Sequence, residues 1–290
     1  MVRVIPPSEL IINDDGSVFH LKLKPEQLAD RVIMVGDPAR VSSIAAYFDS
    51  RECDVSNREF HTITGSYKGK RLTVISHGIG GDNIDIVVTE LDALANIDFA
   101  TRSVKPELKQ LRIVRIGTSG GLQPYVPIGT YVAAHTSVGF DGIPFYYAGN
   151  EAVRDLTFEE EFIKQVDWKI VGVLPYAVKA DEELLEQIAA DDFVRGVTIA
   201  TNSFYGAQGR ELRLSLADPE LNKKIEAYND NGNQVTNFEM ESAALASLAA
   251  MMGHRALTVC CIIAGRVNKN MNTNYKDSLS DLIEKVLERI

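Results

Sequence analysis

The stretch Leu111-Arg-Ile-Val-Arg-Ile-Gly-Thr-Ser-Gly-Gly121 is the basis of our fold prediction. Its first half is short, β-branched and mostly apolar, which is typical of a strand buried on both faces of a sheet. We predict that the strand stops at Gly117, because glycines favour a loop and let a ligand approach the backbone. Such loops, at the carboxyl ends of buried strands, are where open α/β sheets hold ligands, often anions. The alternative is an ordinary turn, with Arg115 paired to a carboxylate.

The composition of the 290 residues is that of a globular protein, with 45% hydrophobic and 24% charged residues. The net charge of -10 argues against a nucleic-acid partner, which would need clustered lysine and arginine. It still allows a small anion to bind where a few arginines meet in one cleft. We expect a single domain over residues 1–290, with residues 1–17 as an N-terminal arm.

Several signals bear on location and metal binding. No apolar run approaches the roughly 18 residues of a membrane helix, and the first residues lack the apolar core of a signal peptide. Cys53, Cys260 and Cys261 are odd in number, which indicates reduced thiols. The five histidines show no metal-ligand spacing. We therefore expect a cytoplasmic protein with no membrane partner and no zinc.

Strands that end in glycine loops and lead into helices recur along the chain, so the predicted fold class is α/β. The strand at 31–35 runs into Gly36 and a helix that extends to about residue 48. Gly36 and the N-terminus of that helix could seat an anion beside Arg40, or could simply form a turn with a solvated arginine. Other predicted elements are strands at 18–23, 59–64, 70–75, 129–134, 169–173, 194–200 and 256–264, helices at 84–97, 181–190 and 279–290, and an alanine-rich helix ending near residue 253.

The loop at residues 201–211 carries side chains suited to a planar ligand. Gln208 and Arg210, two residues apart and next to glycines, can direct planar donors and acceptors at one edge of such a ligand. Phe204 can supply a face for stacking. The pattern predicts a site for a flat, hydrogen-bonding ring, although an ordinary surface loop could carry the same residues.

Two carboxylates, Glu239 and Glu241, precede the alanine-rich helix. Residues two apart lie about 200° apart around a helix, so both can face one site only where the chain is still extended. Their alternative role is to interact with the helix dipole. Isolated arginines also stand at strand ends or in the loops beyond them: Arg40, Arg115, Arg210 and Arg266. Together the two sets suggest an oxyanion held by guanidinium groups near the vicinal hydroxyls of a ribose.

Six short motifs occur in the order found in the nucleoside phosphorylase family. They are Gly36-Asp-Pro-x-Arg40, Arg58-Glu-Phe60, Gly78-Ile-Gly-Gly81, Arg115-Ile-Gly-Thr-Ser-Gly120, Phe204-Tyr-x-x-Gln208-x-Arg210 and Glu239-Met-Glu-Ser242. An ordered set of six is far more specific than any one of them. From Val18 to about Arg266 the chain resembles the pyrimidine-directed branch of this family. The resemblance implies a three-layer α/β/α fold around a central mixed, partly barrel-like sheet.

The resemblance also implies a role for each matching residue. The phosphate site matches Gly36, Arg40, Arg115 and Thr118, with Arg58 lent by a neighbouring subunit. The ribose site matches Glu239, Met240 and Glu241, with His20 from the neighbour. The base site matches Ser119, Gly120, Phe204, Gln208, Arg210 and Arg266. The residues expected to carry catalysis are Arg115, Gln208, Arg210 and Glu241.

The implied reaction is reversible phosphorolysis of uridine in pyrimidine salvage, with deoxyuridine and thymidine as further candidate substrates. Phosphate attacks C1′ of the ribosyl group as the bond to the base breaks, through an oxocarbenium-like transition state. Gln208 and Arg210 would stabilise the negative charge of the departing base. Phosphate is a co-substrate, and neither a protein nucleophile nor an organic cofactor is implied.

Departures from the family pattern leave alternatives open. Some relatives bind a monovalent cation such as K⁺ between subunits. The matching residues here are Glu59, Ile79 and Asn83, but those relatives have serine where this chain has Asn83. His77 stands where several bacterial relatives have threonine. The residues lent by a neighbour imply self-association as a dimer or hexamer.

Three competing functions remain open from sequence. A purine nucleoside phosphorylase or a nucleosidase would share the fold, and a nucleoside-binding module without turnover would share the site. Arg40 and Arg115 argue against a nucleosidase, because hydrolysis needs no arginines that converge on phosphate.

Overall fold

A computed structural model describes residues 3–265, 270–271 and 276–290 of the chain. The strands are β1 (Arg31–Val35), β2 (Ser50–Asn57), β3 (Phe60–Tyr67), β4 (Lys70–Ser76), β5 (Ile97–Asp98), β6 (Ser103–Val104), β7 (Arg112–Gly121), β8 (Tyr131–Gly139), β9 (Tyr176–Lys179), β10 (Val194–Ala200), β11 (Asn229–Asp230), β12 (Asn233–Glu239), β13 (Arg255–Gly265) and β14 (Asn270–Met271). The α-helices are α1 (Pro38–Ala45), α2 (Gly81–Asn96), α3 (Leu156–Gln165), α4 (Glu182–Ile188), α5 (Leu221–Ala227), α6 (Ser242–Met251) and α7 (Lys276–Arg289). No helix within the described ranges is long and apolar enough to cross a membrane.

The central sheet is mixed and closes partly on itself. Strands β4, β1, β7 and β13 run parallel in that order, and β8 then pairs antiparallel with β13. Strand β10 lies parallel between β8 and β12, and β12 pairs back onto β7. The ring β7–β13–β8–β10–β12 is therefore a closed barrel, from which β1, β4, β3 and β2 extend as an open sheet. This confirms the predicted α/β class with a mixed, partly barrel-like sheet.

Helices cover both faces of the open part of the sheet. Along β1 the side chains alternate, so that Ile33 and Val35 pack in the layer of α1, α4 and α7. Val32 and Met34 pack in the opposite layer with α2 and α6. A third cluster joins α3 and α5 to β8, β10 and β12. This three-layer arrangement confirms the prediction and positions α2 and α6 beside the carboxyl ends of the strands.

Strand β7 does not stop at Gly117, as predicted, but continues to Gly121. Strand β13 pairs beside it over its whole length, and Gly120 and Gly121 also pair with β12. These glycines do not have positive φ angles. An added Cβ would instead lie 2.8 Å from Arg115 Nη1 at Gly117, and 2.7 Å from the carbonyl oxygen of Val126 at Gly121. The prediction of a loop was wrong because the glycines serve close packing within the sheet and not freedom of the backbone.

Two other predicted strands are also wrong. Residues 18–23 form a turn, in which the backbone N–H groups of His20 and Leu21 bind the carboxylate of Glu90. Residues 169–173 lie in a turn region, and the strand comes later as β9. In the first segment Val18, Leu21 and Leu23 are buried in the core, whereas in the second only Ile170 and Val173 pack against it and Val171 is exposed. Periodicity alone does not distinguish either segment from a strand.

Strands β2 and β12 were not predicted. Strand β2 lies at the edge of the sheet and is mostly exposed, so its sequence has no apolar run. Strand β12 carries the buried polar residues Thr236 and Asn237, whose side chains bond to β10 and β7. Such polar residues are typical of turns in a sequence, and only the barrel supplies their partners.

We expect Gly121→Ala to lower the free energy of unfolding by about 1–3 kcal/mol, because the new methyl group meets a backbone oxygen that cannot move aside easily. Urea denaturation measures the change. The control is Gly206→Ala, where the nearest atom lies 4.0 Å away and the expected change is within about 0.5 kcal/mol. Equal stability of the two variants would contradict the packing role of Gly121.

Candidate functional site

A cavity of about 1460 Å³ lies where the carboxyl ends of β1, β4, β7, β10 and β12 meet. Strands β7 and β12 are antiparallel, yet they pair only near their last residues, as with Gly120 and Phe238, so both ends reach the cavity. The predicted site residues that line it are Gly36, Arg40, Arg115, Thr118, Ser119, Gly120, Phe204, Gln208, Arg210, Glu239, Met240 and Glu241. The structure thus brings most of the predicted site together.

Arg115 is the centre of the site and is only 4% exposed. Arg115 lies two residues after the buried Ile113 on β7, so both side chains point to the same face of the sheet, toward the layer of α2 and α6. Its Nη1 donates to Glu239 Oε2 at 2.8 Å, and its Nη2 donates to Glu241 Oε2. The predicted pairing of this arginine to carboxylates is therefore confirmed. Arg115 also lines the cavity, and its binding of an anion stays a prediction.

Glu239 and Glu241 both face Arg115 because neither lies inside the helix. Glu239 is the last residue of β12, and α6 begins only at Ser242. The carboxylate of Glu239 accepts from the backbone N–H of Ser242 at 3.0 Å and from its hydroxyl at 2.6 Å, so it caps α6. Glu241 Oε1 instead accepts from the backbone N–H of Gly80 at 2.7 Å. Glu239 thus has the predicted alternative role at the N-terminus of the helix, whereas Glu241 faces the cavity.

Burial and neighbouring charges set the charge states of Arg115 and Glu241. Burial alone would lower the pKa of Arg115, but Glu241 and Glu239 more than offset it and raise that pKa further, so the guanidinium stays charged. Burial raises the pKa of Glu241 above its ordinary value, Arg115 acts against this rise, and the nearby Glu239 adds to it. The site therefore holds a fixed cation beside a carboxyl group that is easier to protonate than an exposed one.

One end of the cavity suits a small anion. Arg40, on the first turn of α1, approaches the carbonyl oxygen of Ile116 at 3.5 Å and lies beside Thr118 and Gly36 in the cavity wall. The N-terminus of α1 is capped by Asp37, whose carboxylate accepts from the N–H of Ala39 at 2.9 Å. The carboxylate of Asp37 therefore lies at the helix N-terminus where we predicted an anion, and Arg40 is the positive group that α1 contributes.

The other end suits a planar ring. The guanidinium of Arg210 lies over the ring of Phe204, with 3.7 Å from its carbon to the ring centroid. Its Nη1 donates to Gln208 Oε1, and Gln208 Nε2 donates to the hydroxyl of Thr201 at 2.9 Å. Gln208 is 3% exposed, so its amide is fixed in orientation. Gln208 and Arg210 are therefore adjacent and bonded to each other, and Arg210 covers one face of the Phe204 ring that we predicted for stacking. Their recognition of a ligand edge stays a prediction.

Ser119 and Gly120 lie near the end of β7, between the two ends of the cavity. The hydroxyl of Ser119 accepts from Asn237 Nδ2 at 3.0 Å, which ties β7 to β12 behind the cavity. Both residues line the cavity, as predicted.

His20 and Arg58 do not reach the cavity of their own chain. His20 Nδ1 lies 2.6 Å from Glu90, and Asn57 donates to the carbonyl oxygen of His20 at 2.7 Å. Arg58 is exposed, and its guanidinium lies 6.0 Å from the ring centroid of Phe19. The two residues thus share one surface patch, and their proposed service to a neighbouring site stays a prediction.

The three residues predicted for a possible cation site lie at the rim of the cavity. Glu59, Ile79 and Asn83 line the cavity mouth, where Asn83 Nδ2 approaches the carbonyl oxygen of Ile79 at 3.5 Å. In the described part of the chain, no group of three or more histidine, cysteine or acidic side chains is arranged to hold a metal ion. Arg266 lies outside the described residues.

Sequence reasoning gave no role to His77 or Asn222. His77 is fully buried beside Arg115, and Asn222 donates to the carbonyl oxygen of Gln208 at 2.9 Å. No local pattern in the sequence singles out Asn222. It lies 14 residues after Gln208 and reaches the cavity through the position of α5. His77 could have been found from its position directly after β4, at the same sheet edge as Arg115.

Comparisons with known proteins agree with this geometry. A family profile described as the Phosphorylase superfamily matches residues 30–289. A Thermococcus kodakarensis protein named uridine phosphorylase is 31% identical over 275 residues, which are 92% of this chain and 84% of the relative. An Escherichia coli protein of the same name is 32% identical over 278 residues, or 94% of this chain and 96% of the relative.

Solved structures show the same fold. A Trypanosoma brucei nucleoside phosphorylase, described as showing uridine phosphorylase activity, superposes with a TM-score of 0.83 at 29% identity and covers 97% of this chain and 98% of its own. A Phytophthora capsici uridine phosphorylase gives a TM-score of 0.75 at 21% identity, over 99% and 98% of the two chains, and supports the fold alone. Because the profile matches most of the chain and relatives above 30% identity span nearly all of it, the chain belongs to the phosphorylase superfamily.

Proposed function

We propose that the protein catalyses the reversible phosphorolysis of uridine to uracil and ribose 1-phosphate. The observation that carries the proposal is the joining, in one cavity, of Arg40 and the Arg115–Glu241 pair to the Gln208–Arg210 pair. The first groups suit an oxyanion next to a ribose, and the last suit the edge of a pyrimidine. The relatives named uridine phosphorylase, about 30% identical over most of the chain, support this substrate class.

The anion end would place phosphate beneath the sugar. Arg40 and the N–H groups near Gly36 and Thr118 would hold the phosphate, and Glu241 would accept hydrogen bonds from the ribose hydroxyls. A phosphate oxygen forms a bond to C1′ while the bond from C1′ to the base nitrogen breaks, and the electron pair of that bond leaves with uracil. Phosphate is both the nucleophile and the counter-charge to the cationic sugar, so the reaction needs no organic cofactor.

The base end would stabilise the leaving group. Negative charge develops on N1 of uracil and spreads to its two carbonyl oxygens as the bond breaks, and Arg210 and Gln208 are held in place before this happens. The carbonyl oxygen of Phe204 and the amide of Gln208 fix Arg210, and Thr201 fixes Gln208. Donors that are already oriented need no reorganisation during the reaction, which makes their contribution to the rate large.

We further propose that the enzyme self-associates and works in the cytoplasm. His20 and Arg58 share a surface patch away from their own cavity, which is consistent with service to a neighbouring subunit. Cys53, Cys260 and Cys261 are free thiols, as expected in a reducing compartment.

The absorbance of uridine, followed with and without inorganic phosphate, tests the reaction. We expect turnover only when phosphate is present, because phosphate is the nucleophile. Turnover without phosphate would identify a nucleosidase. Binding of uridine without turnover in either condition would identify a binding module, and faster turnover of inosine than of uridine would identify a purine enzyme.

We expect Arg210→Ala to lower kcat/KM for uridine by about 10²–10³-fold, because one oriented donor to the leaving group is lost. The matched control is Arg213→Ala, since Arg213 is an exposed arginine three residues away that does not line the cavity. The control should keep wild-type kinetics. Wild-type kinetics in Arg210→Ala would refute the assignment of the base end.

Subunit complementation tests the sharing of sites. Arg58→Ala and Arg210→Ala should each be inactive alone, because each removes one group from every site. In a mixed dimer, one of the two sites would regain both arginines. Because random coexpression makes about half of the dimers mixed, activity should return to about a quarter of the wild-type value. Mixed oligomers that stay inactive would show that Arg58 serves its own chain.

A further inference from the structure

His77 is a buried histidine to which the proposed mechanism gives no role. It follows β4 directly, its side chain is completely buried, and it lies near both Arg115 and Arg40. Arg115 Nε is 3.1 Å from His77 Nε2. His77 is thus the one partner of the Arg115 guanidinium, among the described contacts shorter than 3.5 Å, that is not a carboxylate.

The contact fixes the tautomer of the ring. A guanidinium has five N–H donors and no acceptor, so Arg115 Nε must donate the hydrogen bond. His77 Nε2 must then carry the lone pair. A neutral imidazole has a single proton, which in this arrangement lies on Nδ1. A doubly protonated ring would place one N–H against another and would lose the bond.

The guanidinium of Arg115 is divided among three acceptors. Nε donates to His77, Nη1 donates to Glu239, and Nη2 donates to Glu241. Three acceptors on three different nitrogens leave the plane of the guanidinium no freedom to rotate. Glu239 is itself held by capping α6, so it restrains the Nη1 side of the guanidinium, and His77 restrains the Nε side.

We infer that His77 is a positioning residue, which in its neutral form holds Arg115 so that Nη2 stays on Glu241 where the phosphate and ribose subsites meet. The inference rests on the proposed function and deepens it. Threonine or another short residue after β4 could not place an acceptor at the same point and fill the same space.

The surroundings favour the neutral ring. Burial lowers the pKa of His77 well below its ordinary range, and the charges of Arg115 and Arg40 lower it further. Arg115 faces the ring from β7 and Arg40 faces it from α1. The carboxylates of Glu239 and Glu241 lie beyond Arg115 and bond to its terminal nitrogens and not to the ring.

Side-chain ¹⁵N spectra of the whole protein test the tautomer without an activity assay. The chain has five histidines, and His77→Gln identifies the signals of His77 by their loss. We expect a neutral ring with the proton on Nδ1 between about pH 6 and pH 8. A charged ring, or a proton on Nε2, would overturn the inference. Because this measurement needs no substrate, it is independent of whether uridine is the nucleoside used.

Kinetics test the positioning role. His77→Leu removes the acceptor, and we expect it to lower kcat/KM for phosphate about 10- to 100-fold, as for a lost hydrogen bond to a charged group. His77→Gln keeps an acceptor oxygen and should recover most of this loss. The control is His135→Leu, since His135 is a partly buried histidine on β8 away from the cavity, and this variant should keep wild-type kinetics.

The comparison of the two variants separates positioning from stability. Melting temperatures are measured for all three, so that a loss of fold is seen directly. Equal losses of kcat/KM in His77→Leu and His77→Gln, or a wild-type value in His77→Leu, would overturn the inference. If His77→Leu does not fold, the Gln variant and the ¹⁵N spectra decide the matter.

Discussion

The burial of one guanidinium, that of Arg115 inside the central strand β7, is the constraint on which the site depends. A charge that is only 4% exposed is stable only when its N–H groups are all matched by acceptors. The acceptors come from the end of β12, from the residue before α6 and from the residue after β4. Meeting the needs of one arginine therefore brings the junction of β12 and α6 and the residue after β4 to β7, and these segments line or adjoin the cavity.

The same constraint governs the electrostatics of the site. When all three groups are ionised, Arg115 is outnumbered by Glu239 and Glu241, so this cluster alone does not attract an anion. Attraction has to come from further positive groups, of which Arg40 is supplied by the same chain. This balance gives a physical reason for an arginine shared between subunits, such as the proposed Arg58. The ion pair of Glu241 with Arg115 offsets part of the negative charge of this carboxylate, which lowers its repulsion of a nearby dianion.

Much of this arrangement could be predicted from sequence, because the relevant signals are local. The buried strands β1, β7, β10 and β13 are mostly apolar, β-branched runs. Gly36 follows β1, Arg115 lies within β7, and the loop before Arg210 follows β10. The order of six motifs then implied a role for each matching residue, and the cavity brings most of these residues together. Predictions were wrong where a local pattern has two structural outcomes. The glycines after Arg115 permit either a loop or close packing, and the residues at 18–23 and 169–173 fit either strands or packed turns.

What only the tertiary structure decided is the closure of the barrel and its consequences. The pairing of Phe238 with Gly120 joins segments more than a hundred residues apart, and no local pattern encodes it. That pairing keeps Glu239 in an extended strand, so that two carboxylates two residues apart can face one arginine. It also supplies a partner on β7 for the buried Asn237 of β12. Local propensity and residue type determine which segments are strands and which side chains can bind an anion, whereas the free energy of matching buried polar groups across the sheet determines which of them meet.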